Sequence, residues 1–294
     1  MANNKVILVL LNSLRSGFMV VDEYYKLNNG QRIPKVALGT WLVSDDEAEG
    51  AVISAFEAGY RHIDTAVAYG NEAGVGRGLH EAMKVTGLHR EGFFVTSKIP
   101  AEVKTYEGAT ACIQESLERL DCFHLDMMLI HAPKPWDEMW KPGKDYSAEN
   151  LQVWHALEEA YAVGKCRVIG VSNFDIEDLK NVMDECSVIP AVNQIRVHIG
   201  HVPYELIEFC EQNGILVEAY SPNAHGKLAE VPGVCQMAAK YDVSVPQLAN
   251  RFIVQLGLLP IPKSTHGDRI RENADLDFEI MPADMAELLE ISGL

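Results

Sequence analysis

Short apolar runs alternate with amphipathic stretches of helical period along almost the whole chain. Strand-like segments, rich in apolar and β-branched residues, occur at 36–40, 62–65, 93–97, 126–130, 167–171, 192–195, 216–219 and 259–261. Helical patterns fill the gaps between them. Ser44-Asp45-Asp46-Glu47 offers a capping box ahead of residues 48–58, and Gly59 stops that helix. Ala109, Cys112, Ile113, Leu117 and Leu120 share a face, as do Leu151, Trp154, Leu157 and Tyr161 before Gly164. Upstream, residues 24–32 read YYKLNNGQR, where Asn-Asn-Gly suits the tight turn of a hairpin.

A chain of eight strands with a helix between successive strands can form an open doubly wound sheet or a closed barrel. An open dinucleotide-binding sheet calls for GxGxxG directly after an early strand. The nearest run, Gly74-Val75-Gly76-Arg77-Gly78, falls in a predicted helix, and its last glycine comes one residue too early. No linker rich in Pro, Gly or Ser divides the chain. The pattern therefore predicts an α/β protein, a single (β/α)8 TIM barrel over residues 19–294, with an N-terminal β-hairpin closing the barrel bottom. Residues 1–18 have a weakly basic start and an apolar run at 6–11 but no small-residue cleavage site. They read as an extension outside the fold.

Composition narrows the function classes. The chain has 294 residues, 48% of them hydrophobic, and 25 Lys and Arg against 42 Asp and Glu give a net charge of −17. Nucleic acid and anionic membrane surfaces call for basic patches, so neither is an expected partner. No apolar stretch reaches the length of a membrane span. Cys112, Cys122, Cys166, Cys186, Cys210 and Cys235 form no CxxC pair and show no zinc spacing. Reduced, packed thiols and a cytoplasmic location follow.

In a barrel of this kind, chemistry gathers where strands end at the C-terminal face. Those ends read Gly39-Thr40-Trp41, Asp64 with Tyr69 beyond, Lys98, His131, Ser172-Asn173, Gln194, Tyr220-Ser221 and Lys263-Ser264. An acid buried at a strand end needs a cationic partner, and Lys98 is the natural one for Asp64. A cation there favours phenolate, so Tyr69 is expected to have a lowered pKa and to give a proton to a developing alkoxide. His131 could orient the same oxygen.

With these residues in place the chain resembles the aldo-keto reductase family from Tyr24 to its C-terminus. The resemblance is carried by LNNGQRIPKVALGTW, AGYRHIDTAVAYGNE, the lysine of TSK, LIHAP, GVSNF, Asn193-Gln194, AYSP and IPKSTHGDRIREN. It implies an oxidoreductase that reduces an aldehyde or ketone to an alcohol with NADPH. Tyr69 matches the proton donor, Lys98 its tuning lysine, Asp64 the lysine's partner and His131 the residue that places the carbonyl. Ser172, Asn173 and Gln194 match groups that hold the nicotinamide carboxamide, and Tyr220 the ring that stacks on it. Gly39, Thr40 and Trp41 match positions beside the cofactor, and Ser221 one near the pyrophosphate. Lys263, Ser264 and Arg269 match the clamp on the adenosine 2′-phosphate, and Glu272 and Asn273 the adenine contacts. Trp41, Trp136 and Trp140 are expected as apolar walls of the substrate pocket. The family also implies a small-molecule carbonyl substrate and a monomer or weak homo-oligomer.

Two departures bear on specificity. Alanine follows His131, as in bacterial diketogluconate reductase-like members, and the sequence stops at ISGL, where relatives often continue into a loop over the substrate. Other readings compete for single features. A cofactor-binding redox-sensing subunit would use the same residues with little turnover. A metal-dependent barrel hydrolase would use His62 and Asp64, but its further ligands are missing at strand ends five to eight. His198 and His201 resemble a metal pair without an accompanying carboxylate cluster, so no metal is expected.

Overall fold

The computed structural model describes residues 19–141 and 143–293; the reading of residues 1–18 as an extension lies outside them. Strands β1 (Tyr24–Lys26) and β2 (Arg32–Pro34) pair antiparallel about the Asn-Asn-Gly turn, where Gly30 takes φ +86°. The side-chain amides of Asn28 and Asn29 donate to the carbonyls of Pro190 and Arg167 at 3.0 and 3.1 Å. Leu27 and Ile33 are buried with Phe94, Met127, Leu129, Val168 and Val192. The hairpin thus plugs the barrel's N-terminal end with apolar side chains, as its sequence predicts.

Eight parallel strands follow in chain order: β3 (Leu38–Gly39), β4 (His62–Asp64), β5 (Phe94–Ile99), β6 (Leu125–Ile130), β7 (Cys166–Ser172), β8 (Val192–Arg196), β9 (Leu216–Tyr220) and β10 (Leu259–Ile261). Ring closure comes from Ala37 N donating to Pro260 O at 3.1 Å and Gly39 N to Pro262 O at 2.8 Å. Glycine is needed at that seam, since a Cβ on Gly39 would stand 2.9 Å from Ile261 Cγ2. Strand positions match the sequence reading within a few residues. The first strand is shorter, and the third runs on to Ile99, so Lys98 sits inside β5 rather than beyond it.

Helices wrap the sheet, beginning with α1 (Asp45–Glu57), α2 (Glu72–Thr86) and α3 (Tyr106–Arg119). Next come α4 (Ser147–Ala162), α5 (Ile176–Glu185), α6 (Tyr204–Gln212) and α7 (Pro232–Lys240). The last three are α8 (Val245–Gln255), α9 (Gly267–Ala274) and α10 (Pro282–Glu290). The capping box at Ser44 and Glu47 forms as expected. The glycine run of residues 74–78 lies within α2 and packs on α1: a Cβ on Gly74 would meet Asp45 O at 2.1 Å, and one on Gly78 would meet Val52 Cβ at 2.7 Å. Its role is close helix contact, which is why it carries no phosphate-loop spacing. The main apolar core, including Phe56, Trp154, Phe174 and Phe252, lies between sheet and helices. The inside of the barrel turns polar towards its C-terminal end. His62, Asp64, Thr96, Lys98, Gln194 and Glu218 are all buried there. Among the described residues no helix is long and apolar enough to cross a membrane, and all six cysteines are free thiols.

Candidate active site

A cleft of about 1160 Å³ opens at the C-terminal face of the barrel. Asp64, the last residue of β4, is 3% exposed, and Lys98 in β5 is fully buried. Lys98 Nζ donates to Asp64 Oδ1 at 2.6 Å and to Thr65 O at 2.9 Å, and reaches Tyr69 Oη at 3.5 Å. Tyr69 closes a short 3₁₀ turn after β4, with Gly70 left-handed behind it. That turn carries the phenol back over the ion pair. The acid therefore has its cation, with the phenol at the far reach of the same ammonium.

The direction of the Tyr69 shift corrects the sequence expectation. Burial raises its pKa most; the Lys98 charge lowers it and Asp64 raises it, so the net shift is upward. The cation is partly spent on Asp64, and its contact with the phenol is long. Tyr69 is thus held as a neutral phenol, a proton donor rather than a phenolate. His131, directly after β6, packs edge-on to Tyr69 and Trp136 with ring centroids 5.5 and 5.2 Å apart. Burial and the Lys98 charge push its pKa down to about 3, so the imidazole is neutral. It can orient an oxygen but has no ready proton to give.

One side of the cleft is built from amides and hydroxyls. Ser172 Oγ donates to Gln194 O at 2.8 Å, and Asn173 Nδ2 donates to His131 O and Ser172 Oγ, both at 3.0 Å. Tyr220 Oη donates to Asn173 Oδ1 at 2.8 Å, which fixes the ring against the cleft. Gln194 Nε2 donates to Asp64 Oδ2 and Glu218 Oε2, each at 2.8 Å. Towards the rim stand Lys263, Ser264, Arg269, Glu272 and Asn273, the last three on or beside α9. Leu42, Asn173, Ser221 and His225 line the cleft with left-handed backbones, a concentration of strain typical of functional sites.

Most residues singled out from the sequence therefore meet in one cleft. Gly39, Trp41, Asp64, Tyr69, His131, Trp136, Ser172, Asn173, Gln194, Tyr220 and Ser221 line it together with the rim residues. Three do not. Thr40 is fully buried, with Oγ1 donating to Asp64 O at 3.0 Å, so it braces β4 instead of facing a ligand. Lys98 sits behind Asp64 and Tyr69. Trp140 is 85% exposed and away from the lining, so it forms no pocket wall. The sequence reading missed Glu218 and His225, whose ring packs edge-on to Trp41 at 5.6 Å. Glu218 could have been found as an acid on the inward face of β9, two residues before Tyr220. His225 sits in an irregular loop where no periodicity gives a signal. Among the described residues, no three His, Cys, Asp or Glu side chains gather as a metal set.

Comparison with known proteins gives the family and the fold. Residues 35–292 match the Aldo/keto reductase family. A glyoxal reductase of Bacillus subtilis (strain 168) is 41% identical over 265 residues, covering 90% of this chain and 90% of the relative. An aldo-keto reductase of Bombyx mori, solved in complex with NADP, superposes with a TM-score of 0.83 at 35% identity, covering 92% of each chain. An aldo/keto reductase from Brucella melitensis gives 0.85 at 36% identity, over 94% of this chain and 100% of that one.

Proposed function

The chain belongs to the aldo/keto reductase family of oxidoreductases, and on that premise we propose that it reduces a small aldehyde or ketone, with NADPH as reductant and Tyr69 as proton donor. The observation that carries this reading is the Asp64–Lys98–Tyr69 cluster beneath a cleft whose other end is cationic. The residues fit a dinucleotide. Amide groups and the fixed Tyr220 ring lie near the phenol, while Lys263, Ser264 and Arg269 gather at the far rim beside the start of α9, suited to a phosphate. Two cations there favour NADPH over NADH. The bound cofactor would supply the hydride.

The chain's own groups supply the rest. Tyr69, neutral at pH 7, hands its proton to the substrate oxygen as negative charge builds there, and Lys98 stabilises the phenolate left behind. Asp64 keeps the ammonium in place and compensates its burial. Neutral His131 hydrogen-bonds the same oxygen and aims the carbonyl carbon. Trp41, Trp136 and Leu42 present apolar faces at the mouth. With a glyoxal reductase among the relatives, compact dicarbonyls are the first substrates to try.

The test is NADPH oxidation by the wild-type chain with glyoxal, methylglyoxal, an aromatic aldehyde and a keto sugar. Turnover with at least one of them is expected. Tight NADP+ binding with no turnover on the whole panel would instead favour a cofactor-sensing regulatory subunit.

A further inference from the structure

Glu218 lies inside the barrel beneath the cleft and has no part in the chemistry above. It is fully buried on β9 and pairs in register with Gln194 on β8. An amide nitrogen carries two hydrogens, and Gln194 places both on carboxyl oxygens, at Asp64 Oδ2 and Glu218 Oε2. The opposite orientation would set the amide oxygen 2.8 Å from the Asp64 carboxylate, which can only accept. The nitrogen therefore faces the core, and the one polar atom of the amide left for the cleft is Oε1.

We propose that Glu218 is a positioning residue: together with Asp64 it fixes the Gln194 amide so that oxygen, not nitrogen, faces the cleft. This rests on the reading that the cleft holds a nicotinamide cofactor, whose carboxamide NH2 is the matching donor. Without Glu218, one Gln194 hydrogen loses its acceptor and the amide is free to turn over. Asp64 and Lys98 are the charged groups that bear on Glu218, and burial with the Asp64 charge pushes its pKa up to about 8. Near neutrality it is an uncharged acid, which keeps an acceptor oxygen for Gln194 without setting a second anion beside Asp64. Its Oε1, buried without a hydrogen-bond partner among the described residues, suits a proton better than an unpaired charge.

The experiment is calorimetric binding of NADP+ and of 2′,5′-ADP, which lacks the nicotinamide, to the wild-type chain, Glu218→Met and Glu218→Gln. Glu218→Met is expected to weaken NADP+ binding about tenfold, the worth of one hydrogen bond, and to leave 2′,5′-ADP unchanged. Glu218→Gln retains an acceptor oxygen and should bring NADP+ affinity back towards wild type. Equal losses for both ligands in Glu218→Met, no loss for either, or failure of Glu218→Gln to rescue would overturn the proposal. A wild-type chain that does not bind NADP+ removes the cofactor reading itself and this inference with it, a failure visible before any variant is made. Should Glu218→Met not fold, wild-type chain carrying ¹⁵N-glutamine decides the matter, with the Gln194 signal identified by its loss in Gln194→Met. Slowly exchanging side-chain NH2 signals that barely move with NADP+ support core-facing nitrogen; rapid exchange or large cofactor-induced shifts contradict it.

Discussion

Replacing Lys98 by methionine separates two jobs done by one buried cation. In stability terms, the change strands Asp64, which is 3% exposed and then keeps Gln194 as its side-chain donor. Breaking a buried pair by removing one partner costs about 3–5 kcal/mol. The double variant Asp64→Asn with Lys98→Met removes the stranded charge and should recover about 2 kcal/mol of that loss. In kinetic terms, the attraction between an ammonium and a phenolate at 3.5 Å is about 5 kcal/mol at an effective dielectric constant of about 20. Asp64, at 2.6 Å from the same ammonium, opposes it. A remainder of about 2–3 kcal/mol corresponds to a fall in kcat of about a hundredfold. Urea denaturation and steady-state NADPH oxidation read the two effects separately. The double variant should be more stable than Lys98→Met yet no more active. If it is no more stable, the desolvation argument is wrong; if Lys98→Met keeps its kcat, the ammonium does not serve the phenol.

Three further outcomes follow from the same geometry. Lys263→Ala and Arg269→Ala should raise the KM for NADPH while leaving that for NADH nearly unchanged, and equal effects on both would remove the 2′-phosphate assignment. Carbonyl reduction should show no loss between about pH 6 and 9, because His131 is already neutral above about 3 and burial holds the Tyr69 phenol above the ordinary tyrosine range, so it stays protonated. Alcohol oxidation needs the phenolate and should climb with pH; a reduction profile that drops near pH 6.5 and loses the drop in His131→Gln would make the imidazole the acid. Gly170→Ala should lower stability by about 1–3 kcal/mol in urea, since its Cβ would meet Val192 O at 2.6 Å and Leu129 Cδ2 at 2.9 Å, and an unchanged midpoint would refute that packing.

Most of the fold was legible because strand and helix periods alternate without a break, with Gly59 and Gly164 closing two of the helical stretches. The site was legible because a closed barrel directs strand ends to one face, which brings together Asp64, Tyr69, His131, Gln194 and Tyr220 from separate parts of the chain. What failed needed information beyond the strand end. Thr40 sits next to lining residues yet turns its side chain to the β4 backbone, an orientation that only the closed register decides. Trp140 lies in a loop where aromatic character says nothing about facing. Glu218 escaped because attention to the last residues of each strand overlooks the layer beneath. The sign of the Lys98 effect on Tyr69 was correct, but the larger contribution from burial depends on the packed cleft.

The most direct measurement is single-turnover reduction by Tyr69→Phe, with NADP+ affinity recorded on the same preparation. The account predicts near-normal cofactor binding and a reduction rate lowered about 10²–10⁴-fold, the usual worth of a placed general acid. A variant that binds cofactor and reduces its carbonyl substrate at the wild-type rate would contradict it.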